Sequence, residues 1–318
     1  MRQNIILAAA LALLAVSCGK DSGQGTPSSV REIRAVPAVA SATRGSHTSG
    51  TLEDFDLLVS NPRTPRYSYT NTRFTKGADG VWSPASTMLW ERPAGKPQEV
   101  DLLALSPALE TGGHSLGDSP ITTFEVESAQ SAESRGSDLL YFSLDASSAA
   151  WTETDRVFNE RGELIVRFSH AMSLLRIEVS LGREFNHNGI PTANPVTDLR
   201  IDGTVRSATF QKSGAGYSVT PTTAAAESVL AYETGWTPAA DRDGRCRATY
   251  ECVLVPQTAR LSVSFLLGGV PYRWTGDATL RTGESRVLPL TVGRDEVVAG
   301  EMTAQPWTDG GENDIETE

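Results

Sequence analysis

Residues 164–181 read LIVRFSHAMSLLRIEVSL, and this stretch decides the fold class. Leu164, Val166 and Phe168 alternate with Ile165, Arg167 and Ser169. That period of two puts successive side chains on opposite faces of a β-strand. From Leu175 the phase flips, and Leu175, Ile177, Val179 and Leu181 alternate with Arg176, Glu178 and Ser180. A strand does not exchange faces without an extra residue, so the spacing predicts a bulge or bend near Ser173. His170 shares parity with Phe168 and Met172 and reads as a hydrogen-bonded core histidine.

The same short period recurs outward in both directions. Phe55, Leu57 and Val59 share a face, residues 100–105 (VDLLAL) form a nearly continuous apolar run, and residues 139–142 (LLYF) form a shorter one. Leu261, Val263, Phe265 and Leu267 lead into Gly268-Gly269, from which Val270, Tyr272 and Trp274 return. Two glycines supply the positive φ angles of a two-residue hairpin turn. Pro289 in RVLPLTV (286–292) has no N–H for a ladder, which predicts an edge strand. Residues 222–232 (TTAAAESVLAY) read equally as a short helix or as loop plus strand. Runs of this kind, separated by Gly, Pro, Asn and Asp, predict an all-β chain of two tandem β-sandwich domains. The polar, aperiodic residues 145–162 place the divide at 155/156, giving an N-terminal domain over 45–155 and a C-terminal domain over 156–318.

Ahead of these lies a targeting segment. Arg2 precedes an unbroken apolar run, 5–16, too short for the roughly 20 residues that span a bilayer as a helix but of signal-peptide length. Ala15-Val16-Ser17-Cys18 follows and resembles a bacterial lipobox, so residues 1–17 read as a lipoprotein signal peptide and Cys18 as the lipidation site. Residues 19–29 (GKDSGQGTPSS) lack large apolar side chains and read as a tether.

Composition narrows the function. The net charge of −11 over 318 residues argues against nucleic acid, whose phosphates need a basic face. Cys246 and Cys252 alternate along one strand face with Ala248 and Tyr250. In an extended strand they stand about 20 Å apart, beyond the roughly 7 Å reach of a disulfide, and so read as buried thiols. No spacing points to a metal or cofactor. Gly113-His114-Ser115-Leu116-Gly117 is a literal G-x-S-x-G, the motif of a serine-esterase nucleophile elbow at Ser115. That chemistry needs a strand before the serine and a helix after it. Here Gly117-Asp118-Ser119-Pro120 and a strand-like ITTFEV follow, so the motif reads as a loop between strands and the chain as a non-enzyme.

Several landmarks in order resemble the fimbrillin-like (Mfa-like, FimA-type) lipoproteins of Bacteroidota, subunits of type V pili. They are the lipobox at Cys18, Ala42-Thr43-Arg44-Gly45 shortly before LEDFDLLVS, Trp82, Met88-Leu89-Trp90, VDLLALSP (100–107), SDLLY (137–141), the opening stretch over 164–179, and Trp307-Thr308-Asp309-Gly310. The resemblance implies transthyretin-like sandwiches and a structural, adhesive role at the cell surface, with the precursor held to the outer membrane by lipid. It implies proteolytic processing by an Arg-specific protease after Arg44. Residues 18–44 are then a tether and removable strand, the strand lying within 30–40. The apolar groove left behind takes a strand from another pilus subunit, here a segment within 296–307, and the repeat of that contact builds a filament. A host protein or glycan is the implied receptor. The rival reading is a lipid-anchored glycan-binding protein that keeps its N-terminal strand; an esterase at Ser115 is the remote one.

Overall fold

The computed structural model describes residues 31–39, 50–110, 113–134, 136–214 and 216–307. Along them run β1 (Ala35–Val39), β2 (Asp54–Ser60), β3 (Tyr69–Lys76), β4 (Trp82–Pro84), β5 (Asp101–Ser106), β6 (Thr122–Glu125), β7 (Leu140–Leu144), β8 (Leu164–His170), β9 (Ser173–Leu181) and β10 (Val196–Thr204). They continue as β11 (Ser207–Ser213), β12 (Gly216–Pro221), β13 (Glu227–Leu230), β14 (Tyr232–Thr237), β15 (Cys246–Leu254), β16 (Thr258–Leu267), β17 (Val270–Thr279), β18 (Glu284–Val292), β19 (Val297–Ala299) and β20 (Thr303–Pro306). The all-β expectation holds; the one α-helix among the described residues is the single turn α1 (Thr154–Val157).

The first sheet has seven strands in the order β1-β8-β7-β5-β2-β3-β4. Its central strands are apolar on both faces because both faces are covered. Phe55, Leu57 and Val59 of β2, with Leu102 and Ala104 of β5, enter one core. Leu58, Leu103 and Leu105, one residue out of phase, enter another. This explains why VDLLAL is nearly continuous rather than alternating. The first core also holds Trp90, Trp151 and Phe158, whose rings meet edge-on or tilted at 5.7–6.4 Å. Trp151 and Phe158 come from residues 145–162, so the segment read as a polar divide carries core side chains.

The phase flip has a larger cause than a bulge. β8 belongs to the first sheet and β9 to a six-stranded sheet of order β14-β15-β9-β18-β19, with β20 also on β18. The chain passes between the two sheets at Ala171 and Met172, both fully buried, rather than at 155/156. The six-stranded sheet packs on a four-stranded one, β13-β10-β16-β17. Between them lies the third core, with Ile177, Tyr250 and Leu288 from one sheet and Ile201 and Val263 from the other. The Tyr250 hydroxyl donates to Val196 O at 2.6 Å and ties the two layers. The hairpin is as expected, with Leu267 opposite Val270 and φ of 56° and 85° at Gly268 and Gly269. Residues 222–232 resolve as loop plus strand, entering β13 at Glu227.

The two halves share hydrogen bonds and a core. β6 from the first half pairs with β11 of the second, whose other neighbour is β12, making a three-stranded sheet over the shared core of Leu58, Leu103, Ala208, Phe210, Val253 and Trp307. Gln130 acts like one more strand residue on β15: its Nε2 donates to Val253 O and its Oε1 accepts from Val253 N, each at 2.8 Å. Gln130→Ala leaves that buried peptide group without these two partners and is expected to cost about 2–3 kcal/mol, read as a lower midpoint in urea unfolding of the full chain.

Candidate functional site: the N-terminal strand and the groove it fills

β1 lies parallel to β8, with Ala35 opposite Leu164 and Val39 opposite Phe168. The Leu164 N–H donates to Arg34 O at 2.8 Å. Just upstream the other edge of the same segment is occupied. Ile33 N–H donates to Met88 O at 2.9 Å, Trp90 N–H donates to Arg31 O at 2.6 Å, and Glu32 bridges Leu89 antiparallel. Residues 31–39 therefore bond to β8 on one side and to the run beyond β4 on the other, and this segment lies like a stave along the apolar core of the sheet. Successive residues of a strand bond to opposite sides. Arg31 and Ile33 face Met88-Leu89-Trp90 and Arg34 faces β8, so the nitrogen of Pro37 points away from β8. Its missing N–H removes no bond from that ladder.

The stave is a lid on the first core. Ile33 and Ala35 are 0% and 2% exposed, and Val39 packs half-buried on the same cluster. Beneath lie Leu164, Val166 and Phe168 of β8, with Phe168 edge-on to Phe55, itself stacked on Phe74 at 5.0 Å. At the entrance, the Arg31 guanidinium donates to the Glu91 carbonyl and lies 5.9 Å from the Tyr67 ring centroid. Glu91 is fixed in turn. Asn61 Nδ2 and Thr64 Oγ1 donate to its carboxylate at 2.8 and 2.7 Å, and these bonds hold its pKa below the ordinary value. Taking residues 31–39 away would bare an apolar face and leave the outer edge of β8 without a partner.

The other end of the chain is tucked into the second half. β19 and β20 both pair antiparallel with the outer edge of β18, as Leu290–Ala299 and Val287–Thr303. The expected edge position of RVLPLTV is thus corrected: β18 is flanked on one side by β9 and on the other by β19 and β20. Pro289 falls in the gap between those two short strands, where its carbonyl accepts from Gly300 N at 2.9 Å. The four residues of β20 are exposed, and Trp307 then turns inward to 3% exposure. Its N–H donates to Gly283 O at 2.8 Å, and its ring stacks on His170 with centroids 4.0 Å apart. His170 Nδ1 in turn meets Asp138 Oδ1 at 2.8 Å, the bonded core histidine that its parity predicted.

Ser115 sits in a turn, not an elbow. Its N–H donates to Asp118 Oδ2 at 2.7 Å, its hydroxyl to Asp118 Oδ1 at 3.3 Å, and β6 rather than a helix comes next. Cys246 and Cys252 are free and buried in the third core, and burial pushes the Cys252 thiol far above its usual pKa. Cys18 and Arg44 lie outside the described residues. Sequence reasoning found the stave but not its second partner, Met88-Leu89-Trp90, nor the meeting of Trp307 with His170; neither leaves a local pattern.

The described residues form an all-β chain whose N-terminal strand caps one core and whose C-terminal strands edge another. The sequence pattern of the fimbrillin-like family matches residues 42–307, and the chain belongs to that family, the structural subunits of cell-surface fimbriae. Among solved structures, the fold matches that of a protein assigned as a candidate for cell adhesion from Bacteroides uniformis, at 15% identity, TM-score 0.55, covering 87% of this chain and 99% of that one. It matches another so assigned from Bacteroides ovatus at 13% identity and TM-score 0.55, over 87% and 98%. No curated protein matches in sequence.

Trp307 fills the shared core, so Trp307→Ala is expected to lower the unfolding free energy by about 3–5 kcal/mol. Calorimetry of the full chain would show it as a drop in Tm, with Trp307→Phe recovering most of the loss.

Proposed function

We propose that the chain is a non-enzymatic pilus subunit whose N-terminal strand is a placeholder for a strand from another subunit. On this reading residues 1–17 export the chain, Cys18 carries lipid to the outer membrane, and residues 19–29 hold the body off the surface. An Arg-specific protease cuts after Arg44, releasing lipid, tether and stave together. Two β units, meeting near Ala171, remain as the pilus building block. The incoming strand supplies backbone hydrogen bonds to β8 and apolar side chains to the first core. The finished fimbria then presents the subunit to a host protein or glycan.

The observation that carries this reading is the double edge of residues 31–39. They bond to β8 and to Met88-Leu89-Trp90, bury Ile33 and Ala35, and connect to the rest of the chain through the stretch that holds Arg44. Arg31 and Arg34 lie inside the bonded segment, which favours Arg44 as the arginine a protease reaches. Against the glycan-binding rival stand the tryptophans: Trp90, Trp151 and Trp307 are buried, and Trp82, Trp236 and Trp274 are half-buried. None of the six is fully exposed, whereas a sugar platform is an exposed aromatic face.

Arg-specific proteolysis of the full chain carrying Cys18→Ala is the test. The expected product begins at Gly45 by mass, and it forms a heat-labile ladder on gels that Arg44→Ala abolishes. A clean cut with no ladder, even beside other subunits, would sink the exchange. Lack of a preferred cut, together with retention in polysaccharide gels, would favour the anchored glycan binder.

A further inference from the structure

Two further arginines flank the deepest residue of the stave. Ile33 is fully buried, and Arg31 and Arg34 stand on either side of it in REIRAV (31–36). We propose that both are secondary cleavage sites for the Arg-specific protease, closed while the stave is in place and opened by its release. The enzyme that frees the strand then destroys it. This rests on the reading that Arg44 is cut first, and it holds whichever strand fills the groove afterwards.

The closure lies in the backbone. A protease draws its substrate out as an extended strand, pairs with it and takes the scissile carbonyl oxygen onto hydrogen-bond donors of its own. In the folded chain those oxygens are already engaged. The Arg31 carbonyl accepts from Trp90 N–H at 2.6 Å, and the Arg34 carbonyl accepts from Leu164 N–H at 2.8 Å. Glu32 bridges Leu89 and Ala35 lies opposite Leu164, so the residue after each scissile bond is paired as well. The Arg31 guanidinium is held too, by the Glu91 carbonyl and the Tyr67 ring. Cutting here needs the stave to lift first, and the rate then follows the population of the lifted state. After the cut at Arg44 and the departure of the strand, none of these bonds protects it.

The arginine at 34 has little to do in the folded chain. Its side chain is 58% exposed and meets the partly exposed Glu32, two residues away, at 3.2 Å. An ion pair this open adds little to stability. Its placement matters for the free strand. Hydrolysis of the Arg31–Glu32 and Arg34–Ala35 peptide bonds adds one water to each, leaving a new carboxylate on each arginine and a new amine on Glu32 and on Ala35. The products include the tripeptide Glu32-Ile33-Arg34 and residues 35–44. The side chain that plugs the core is parted from Ala35–Val39, the residues that pair with β8. Neither piece carries both the plug and the ladder, so the strand cannot return to compete and its departure becomes irreversible.

The test is a mass-spectrometric time course of the full chain carrying Cys18→Ala under Arg-specific protease. The body beginning at Gly45 is expected first, then peptides ending at Arg31 and at Arg34. Arg31→Lys/Arg34→Lys keeps both cations and the backbone bonds, so Tm and the rate of the Arg44 cut should hold. Native mass spectrometry reads the fraction of body still carrying its strand. That fraction should fall to zero with time in the wild type and level off in the double variant, whose strand stays whole. Bodies beginning at Glu32 or Ala35 that precede the Gly45 product would show the stave open in the folded chain and overturn the order. A wild-type strand that stays whole after release, or a double variant that loses its strand as fast and as fully as the wild type, would overturn the disposal and leave the Arg44 reading standing. Absence of any product beginning at Gly45 would overturn that reading and this one with it.

Discussion

A strand edge above an apolar core must have an occupant, and the outer edge of β8 is where this molecule meets that constraint. Leu164, Val166 and Phe168 carry one face of β8 into the first core, while its backbone offers hydrogen-bonding groups to whatever lies beside it. Water can satisfy those groups but cannot cover the side chains; another β-strand does both. Residues 31–39 fill the place by bonding on both sides at once. The burial of Ile33 and Ala35 follows from that position.

The same strand carries the constraint to its other end. β8 stops at His170, and two residues later the chain is in a different sheet. That passage is buried, so its polar groups need partners within the protein. Ala171 N–H donates to Leu139 O, Met172 O accepts from Gly283 N, and Ser173 Oγ donates to Glu284 O at 3.3 Å. His170 is held by Asp138 and covered by Trp307. The first half, the second half and the C-terminal segment thus meet at one joint. With β6 on β11 and Gln130 on Val253, the halves form one continuous body rather than beads on a linker.

Much of the fold was legible because period-two alternation depends only on near neighbours. Phe55, Leu57 and Val59 proclaim a strand wherever that strand ends up, and Gly268-Gly269 specifies its turn without outside help. The parity of His170 placed it in a core correctly. The misreadings share one cause. The flip after Phe168 reads locally as a bulge and Pro289 as an edge marker, and the outcome of each depends on a distant neighbour. β18 escapes the edge because β19 and β20 come back to it. Residues 145–162 are polar on average, yet Trp151 and Phe158 find Trp90 in the first core. Of the candidate site, the strand and its arginine stood out through family landmarks, while the clamp of Arg31 on Glu91 and Tyr67 did not.

The amino-acid sequence by itself determined the β-strands, the tight hairpin, the buried thiols and the landmarks of the family. These rest on side-chain period, turn chemistry and short motifs, all local along the chain. Only the tertiary structure decided that residues 31–39 bond on both sides, that β8 and β9 lie in different sheets, and that Trp307 seals their joint. Those facts depend on which backbone groups pair across long stretches of chain, and hydrogen bonds between identical peptide units leave no mark on the side chains that a sequence records.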